Sequence, residues 1–290
     1  MIIAVASGKG GTGKTTVSAN LARVRGDVTL LDCDVEEPNV HLFVSGEPQG
    51  EAEIVSILVP EVDESRCDGC AACSRFCAFK ALAVLDKRVL VFTELCHGCG
   101  GCARVCPQGA IREVPKRVGV VETMRAAGVT VVQGRLDVGV AMAPPLIRAV
   151  KARIPKTGDA ILDAPPGTSC PVVATLRETD FVVLVTEPTP FGLNDLKLAV
   201  AVVRELELPF GVVVNRADRS DDRLAVYCRE AGIPVLAEIP DDRRVAEAYS
   251  RGELMVDALP EYRSLFQRLY ADIAGQWEQA KSAACCSGVR

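Results

Sequence analysis

The 290-residue chain has no apolar run that approaches the roughly 18 residues a membrane-crossing helix needs. Stable membrane insertion is therefore not expected. It has no long basic run either: 33 Lys and Arg against 38 Asp and Glu leave a formal net charge of −5. Nucleic acid, which selects for concentrated positive charge, is not an expected partner. Nothing at the start reads as a secretory leader, because residues 2–6 are already strand-like. A disulfide framework is accordingly not expected, and the setting implied is a reducing cytoplasm. With 49% apolar and 24% charged residues, the chain has the make-up of a globular protein of one large or two smaller domains.

Against these absences, cysteine is plentiful. There are 13, and eight of them fall between Cys67 and Cys106. Without an oxidising setting, that density points to metal or redox chemistry.

The rest of the chain is organised around Gly8-Lys9-Gly10-Gly11-Thr12-Gly13-Lys14-Thr15-Thr16, which fits the phosphate-cradling pattern G-x-x-x-x-G-K-[ST]. Ile2 to Ala6 before it is a short β-branched run, and Val17, Leu21 and Val24 after it are spaced as on a helix. Glycines let the backbone N–H groups point inward, and a helix N-terminus adds partial positive charge. In this pattern Lys14 reaches the β- and γ-phosphates and Thr15 ligates Mg²⁺. Further strand-like runs lie at Val28–Leu31, Val129–Val132, Asp159–Asp163, Phe181–Thr186, Phe210–Val214 and Val235–Ile239, with helical patterns at 144–153, 192–206, 220–231 and 241–251. This alternation predicts an α/β fold with a mostly parallel sheet covered by helices on both faces. A last stripe, Leu265, Phe266, Leu269, Tyr270, Ile273 and Trp277, predicts a core-packed helix, and the tail 283–290 with Cys285 and Cys286 is expected to be disordered.

Lys9, directly after the first glycine, makes the loop more specific. K-G-G-T-G-K-T resembles the deviant Walker A loop of the MinD/ParA/Mrp ATPases and the nitrogenase iron protein. The resemblance implies ATP/ADP and Mg²⁺ as ligands, and a homodimer formed on ATP binding in which Lys9 reaches the partner's phosphates. It implies that Asp34, in Asp32-Cys33-Asp34, orients the attacking water and joins Thr15 near Mg²⁺. Asp163-Ala164-Pro165-Pro166-Gly167 looks like the family's Walker B and switch II region, with Asp163 in the Mg²⁺ shell and the Gly167 amide at the γ-phosphate. Asn215-Arg216 and Pro240-Asp241 stand where relatives contact adenine.

Cys67-x₂-Cys70-x₂-Cys73-x₃-Cys77 and Cys96-x₂-Cys99-x₂-Cys102-x₃-Cys106-Pro107 each have the spacing of a bacterial ferredoxin, and they repeat at an offset of 29 residues. The resemblance implies two [4Fe–4S] clusters. The fourth cysteine of each run serves the other cluster, so one takes Cys67, Cys70, Cys73 and Cys106 and the other Cys96, Cys99, Cys102 and Cys77. Ala78 stands where the first run would carry proline. Zinc is the competing ligand-set reading. His97 is expected beside a cluster rather than on it, Cys170 as a buried structural thiol, and Cys33 and Cys228 in the core.

The whole resembles MinD-superfamily ATPases with an inserted α+β ferredoxin-like domain: residues 1–57 and 119–290 form the ATPase, and 58–118 the insertion. That implies an ATPase coupling dimer switching to electron transfer, with an unidentified redox or iron–sulfur partner protein. An Mrp-type iron–sulfur cluster carrier is the alternative, and a MinD-like positioning switch a third.

Overall fold

The computed structural model describes residues 1–126, 128–218 and 222–287, with side chains through residue 282. The elements in chain order begin with β1 (Ile2–Ala6), α1 (Lys14–Arg25), β2 (Val28–Asp32), β3 (Glu47–Pro48) and β4 (Glu53–Val62). The cysteine-bearing stretch adds α2 (Ala72–Phe76), β5 (Leu82–Leu85), β6 (Arg88–Val91) and α3 (Gly101–Arg104). Then follow β7 (Ile111–Ala126), β8 (Val129–Leu136), α4 (Pro144–Lys151), β9 (Asp159–Asp163), α5 (Cys170–Leu176), β10 (Phe181–Thr186) and α6 (Pro190–Glu205). The chain ends with β11 (Phe210–Ala217), α7 (Arg223–Glu230), β12 (Val235–Pro240), α8 (Arg243–Ser250), α9 (Met255–Ala258) and α10 (Arg263–Ser287).

The sheet runs β12-β11-β10-β1-β9-β2-β8-β7-β3, with β4 also on β7. From β12 to β8 every pairing is parallel. The expected α/β fold, a mostly parallel sheet covered by helices on both faces, is the observed one. Central strands are apolar without alternation because both faces are covered: Ile3, Val5, Leu30, Leu31, Ile161, Leu162, Val182 and Val183 are fully buried. One face packs on α4, α5, α6 and α7 through Leu146, Ile147, Leu176, Leu196 and Val203. The other packs on α1, α9 and α10 through Val17, Leu21, Val256, Phe266, Leu269 and Ile273. The stripe read from the last helix therefore faces the core, as expected. α10 continues through Ser287, so residues 283–287 of the tail expected to be disordered are helical; their side chains, residues 288–290 and the start of the helix expected at 220 lie outside the described residues.

Beyond β8 the sheet turns antiparallel. The 16-residue β7 pairs with β8 through Gly119–Ala126 and with β4 through Ile111–Val121. β4 and β7 thus form a two-stranded arm leading from the parallel sheet to the cysteine-bearing stretch. The expected boundaries at 57/58 and 118/119 both fall inside strands of this arm. Its alternation is masked in the sequence because Glu61, Arg112 and Glu113 face solvent and Pro115 interrupts the pattern. At its far end a separate small core forms from Val59, Cys73, Ala81, Leu82, Cys96, Cys102 and Ile111.

The 29-residue repeat is visible in that stretch's backbone. Left-handed φ values recur at Gly69 and Gly98, at Ala71 and Gly100, and at Lys80 and Gly109. The second member of each pair is glycine, which takes that conformation freely. Ala71 and Lys80 hold it against their Cβ atoms.

Candidate functional site

The C-terminal ends of β1, β2, β9, β11 and β12 converge on one cleft of about 430 Å³, where open parallel sheets bind ligands. Of the residues expected from the sequence, Gly10, Gly11, Gly13, Lys14, Thr15, Thr16, Asp34, Asn215, Arg216, Pro240 and Asp241 line it. Glu37, Asn39, Pro166, Asp242, Val245, Ala246 and Tyr249 line it as well. Of these, Pro166 belongs to the motif that opens with Asp163, while Val245, Ala246 and Tyr249 come from α8, whose approach to the cleft is a product of tertiary packing.

The loop from Gly8 to Gly13 is glycine-rich for two different reasons. A Cβ on Gly8 would strike the Asp195 carbonyl of α6, so this glycine lets the helix lie against the loop. Gly13 has φ +92° and its Cβ would meet the Asn215 amide, so only glycine closes this turn onto α1. Asn215 Nδ2 in turn donates to the Thr12 carbonyl at 2.8 Å, tying β11 to the loop. α1 starts at Lys14, so its first free N–H groups face the cleft.

Behind the loop stand three carboxylates. Asp32 and Asp163 are direct neighbours across β2 and β9, and both are buried. Asp32 accepts from the backbone N–H groups of Asp34, Asn39 and Val40 at 2.9 to 3.1 Å, clamping the loop that presents Asp34, Glu37 and Asn39. Sequence reading singled out Asp34 and missed this structural role of Asp32. Thr15 Oγ1 donates to Asp163 Oδ2 at 2.6 Å, while Asp163 Oδ1 is buried with no hydrogen-bond partner among the described residues. An orphaned carboxylate oxygen beside a threonine hydroxyl, at a helix start, is a donor set suited to Mg²⁺.

Burial pushes Asp163 up to about 6, with Thr15 and Lys14 opposing. Asp34 is likewise pushed up to about 6 by burial, against Lys14. Asp32 is raised well above the ordinary carboxylate range, first by burial and then by Asp163. Folded, nucleotide-free protein therefore holds more protons than the unfolded chain between about pH 4 and 6, and its unfolding free energy falls as pH rises through that window. Replacing Asp163 with asparagine should flatten this slope and stabilise the nucleotide-free protein at pH 7 by about 1–3 kcal/mol. Urea unfolding at pH 4, 5, 6 and 7 measures it; an unchanged slope in Asp163→Asn would contradict the assignment.

Five expected residues lie off the cleft lining. Gly8 is under α6, and Thr12 is buried with its carbonyl on Asn215. Asp163 sits behind Thr15. The Gly167 amide is not directed at the cleft; it donates to the Ser7 carbonyl at 3.0 Å. Lys9 points to Glu187 of its own chain at 3.3 Å, and Arg216 sends its guanidinium to the same carboxylate at 2.6 Å. Glu187 was not foreseen, since a lone glutamate after a strand carries no motif. Cys170 overturns its expectation. It is exposed, because it opens α5 on the loop after Gly167 while Val172, Thr175 and Leu176 form that helix's buried side. Cys33 and Cys228 are buried in the core, as expected.

In the cysteine-bearing stretch all eight thiols are free. Cys77, Cys96, Cys99 and Cys102 line a single cavity with Leu58, Phe76, Phe79 and Glu113. Burial raises the Cys102 thiol, with Cys96 and Cys99 as smaller contributors; burial likewise raises Cys73, with Cys106 and Cys67 among its neighbours. Backbone amides of Ala81, Gly98 and Ala110 donate to the sulfurs of Cys77, Cys96 and Cys106 at 3.3 to 3.4 Å. The His97 ring stacks on Phe79 at 3.5 Å. Among the described residues, no three His, Cys, Asp or Glu side chains converge as a metal-binding group. The thiols are gathered into neighbourhoods, not set in ligating geometry.

A parallel sheet, a glycine loop opening a helix and an acidic pair behind it define a P-loop nucleotide-binding fold of the MinD/ParA type. The chain belongs to the CobQ/CobB/MinD/ParA nucleotide-binding domain family, whose model matches residues 3–255. It is 32% identical over 258 residues to an uncharacterised protein of Methanocaldococcus jannaschii, covering 87% of this chain and 90% of that one. A 116-residue match at 30% identity, 35% of this chain and 32% of the relative, is to an iron-sulfur cluster carrier protein of Aquifex aeolicus. The septum site-determining protein MinD of Pyrococcus horikoshii, solved with Mg-ADP, superimposes with a TM-score of 0.57 at 20% identity, covering 92% and 93% of the two chains. Among the described residues no helix is long and apolar enough to cross a membrane.

Proposed function

We propose that this protein binds and hydrolyses ATP with Mg²⁺, and that the accompanying dimer switching controls electron transfer through two [4Fe–4S] clusters. The ATPase comprises residues 1–57 and 119–290, and the cluster-bearing insertion 58–118. The observation that carries the reading is the company Cys77 keeps. It shares a cavity with Cys96, Cys99 and Cys102, 19 or more residues downstream, while Cys106 neighbours Cys73. That crossing is what a two-cluster ferredoxin arrangement would require. Zinc sites built from adjacent C-x₂-C pairs do not require it.

Lys14 and the first N–H groups of α1 hold the β- and γ-phosphates. Thr15 and Asp163 hold Mg²⁺, which fits the orphaned Asp163 Oδ1. Asp34 accepts a hydrogen bond from the water that attacks the γ-phosphorus as the bond to the ADP oxygen breaks. Asn215, Arg216, Pro240 and Asp241 border the base. The Gly167 amide exchanges its bond to Ser7 for a γ-phosphate oxygen, which makes residues 164–167 a switch. Lys9 serves the nucleotide of a second copy. Cys67, Cys70, Cys73 and Cys106 hold one cluster and Cys96, Cys99, Cys102 and Cys77 the other; bound clusters supply one-electron transfer at low potential. The amides on Cys77, Cys96 and Cys106 stabilise sulfur charge. A redox partner protein docks at the insertion.

A cluster-carrier role is the second reading, favoured by the partial likeness to the Aquifex carrier. It predicts transfer of iron and sulfide to an acceptor protein lacking them. The test of the first reading is iron, sulfide and zinc analysis of protein purified without oxygen. About eight iron and eight sulfide per chain are expected for two four-iron clusters; stoichiometric zinc without sulfide would refute it.

A further inference from the structure

Glu187 directly follows β10, and its side chain is only 9% exposed. It binds two cations at once. Lys9 Nζ lies 3.3 Å from Oε2 and Arg216 Nη1 lies 2.6 Å from Oε1. The cations are the more exposed members of the cluster, at 33% and 60%. The Lys9 backbone is fixed as well, its carbonyl accepting from Ser7 Oγ at 2.6 Å. The lysine that distinguishes this loop from an ordinary phosphate loop is therefore committed within its own chain.

We infer that Glu187 is a positioning residue that latches Lys9 in cis, and that opening this latch sets the threshold for ATP-dependent self-association. The inference rests on the proposed role of Lys9 toward a second copy. An ammonium held against a buried carboxylate cannot also serve a partner's phosphates, so each chain must release Lys9 before two nucleotide-loaded chains can close. Arg216 makes release feasible. It stays on Glu187 at the shorter distance, so the buried carboxylate is not stranded without a partner when Lys9 leaves. A nucleotide-loaded chain with the latch shut is competent to bind ATP yet not to pair. Because both chains must be open, apparent self-affinity scales with the square of the fraction of time the latch is open.

The test compares two proteins, Asp34→Ala and Asp34→Ala with Glu187→Gln, the first change serving to slow hydrolysis. Lys9 acylation by an amine-reactive reagent is measured by mass spectrometry on nucleotide-free monomer, with the exposed Lys80 and Lys87 as internal references. Self-association with Mg-ATP is measured by light scattering across protein concentration. Glu187→Gln should raise Lys9 labelling several-fold over the references and lower the dimer dissociation constant about tenfold. Lys9 labelled equally fast in both proteins overturns the latch, and so does a dimer dissociation constant that is unchanged or raised. If Asp34→Ala with bound ATP forms no dimer at all, the self-association reading fails and the latch's role in it fails too. Raised labelling with no dimer is therefore distinguishable from a latch that was never closed.

Discussion

Replacing Lys14 with alanine should raise the dissociation constant for ATP at least about a hundredfold, because removing one member of a buried charge pairing costs several kcal/mol. Lys14 is only 7% exposed at the floor of the cleft, and it is the cation opposing both Asp34 and Asp163. Without it a triphosphate would enter a cleft lined by Asp34 and Glu37, where Arg216 is already bound to Glu187. Asp34→Ala should behave differently: the dissociation constant stays within a few-fold of the parent while turnover falls by about 10²–10⁴, the contribution of one positioned proton-handling group. Titration calorimetry separates the two effects. Near-parental ATP affinity in Lys14→Ala would remove the phosphate-binding assignment, and full turnover in Asp34→Ala would remove the water-orienting one.

The second large effect concerns the cysteines. On the proposed two-cluster reading, Cys102→Ser should cut the iron content by about half, because it would lose one four-iron cluster of two. Cys77→Ser should remove the same cluster, although Cys77 lies in the first run of the sequence. Cys106→Ser and Cys67→Ser should together spare that cluster and remove the other. EPR of the reduced variants distinguishes the two centres by which signal disappears. If Cys77→Ser silences the signal that Cys67→Ser silences, the crossed pairing read from the cavity is wrong. The small core of Val59, Cys73, Leu82, Cys102 and Ile111 has little apolar area of its own, so loss of either cluster should also make the segment 63–110 more sensitive to proteases.

The sequence revealed the parts of this molecule that are dictated locally. The phosphate loop could be read because its geometry requires glycine where Asn215 and α6 press against it, and a helix must begin at Lys14. The parallel strands were readable from unbroken Val, Ile and Leu runs, and the cysteine repeat from its spacing, which the backbone repeats in its left-handed positions. What stayed hidden depends on partners distant in sequence. Asp32 looked like one half of an acidic pair, and only the folded loop shows it accepting three amides. Glu187 and Tyr249 have no neighbours in sequence that mark them, and they acquire meaning from Lys9 and Arg216 in one case and from α8 leaning on the cleft in the other. The arm of β4 and β7 escaped notice because its apolar run at residues 54–60 gives no local sign of the distant stretch 111–121 with which it pairs. Cys170 was misassigned because seven residues after a buried aspartate is still close to the sheet in sequence, yet the chain has by then reached the surface at the head of α5.

The proposed coupling of nucleotide state to cluster state has a physical basis in the layout of the chain. The cysteine-bearing stretch follows the loop carrying Asp34 and precedes Asp163, so the two segments proposed to meet the γ-phosphate flank it in the chain. Linkage requires that a shift in potential on ATP binding be matched by an equal free-energy shift in ATP affinity on reduction. Redox titration of the oxygen-free protein, followed by EPR with Mg-ADP and then with a non-hydrolysable ATP analogue, measures this directly. The account predicts two one-electron centres, at least one of which moves by tens of millivolts between the two nucleotides, about 59 mV corresponding to a tenfold change in affinity. Absence of any reducible centre, or identical potentials with both nucleotides, would contradict it.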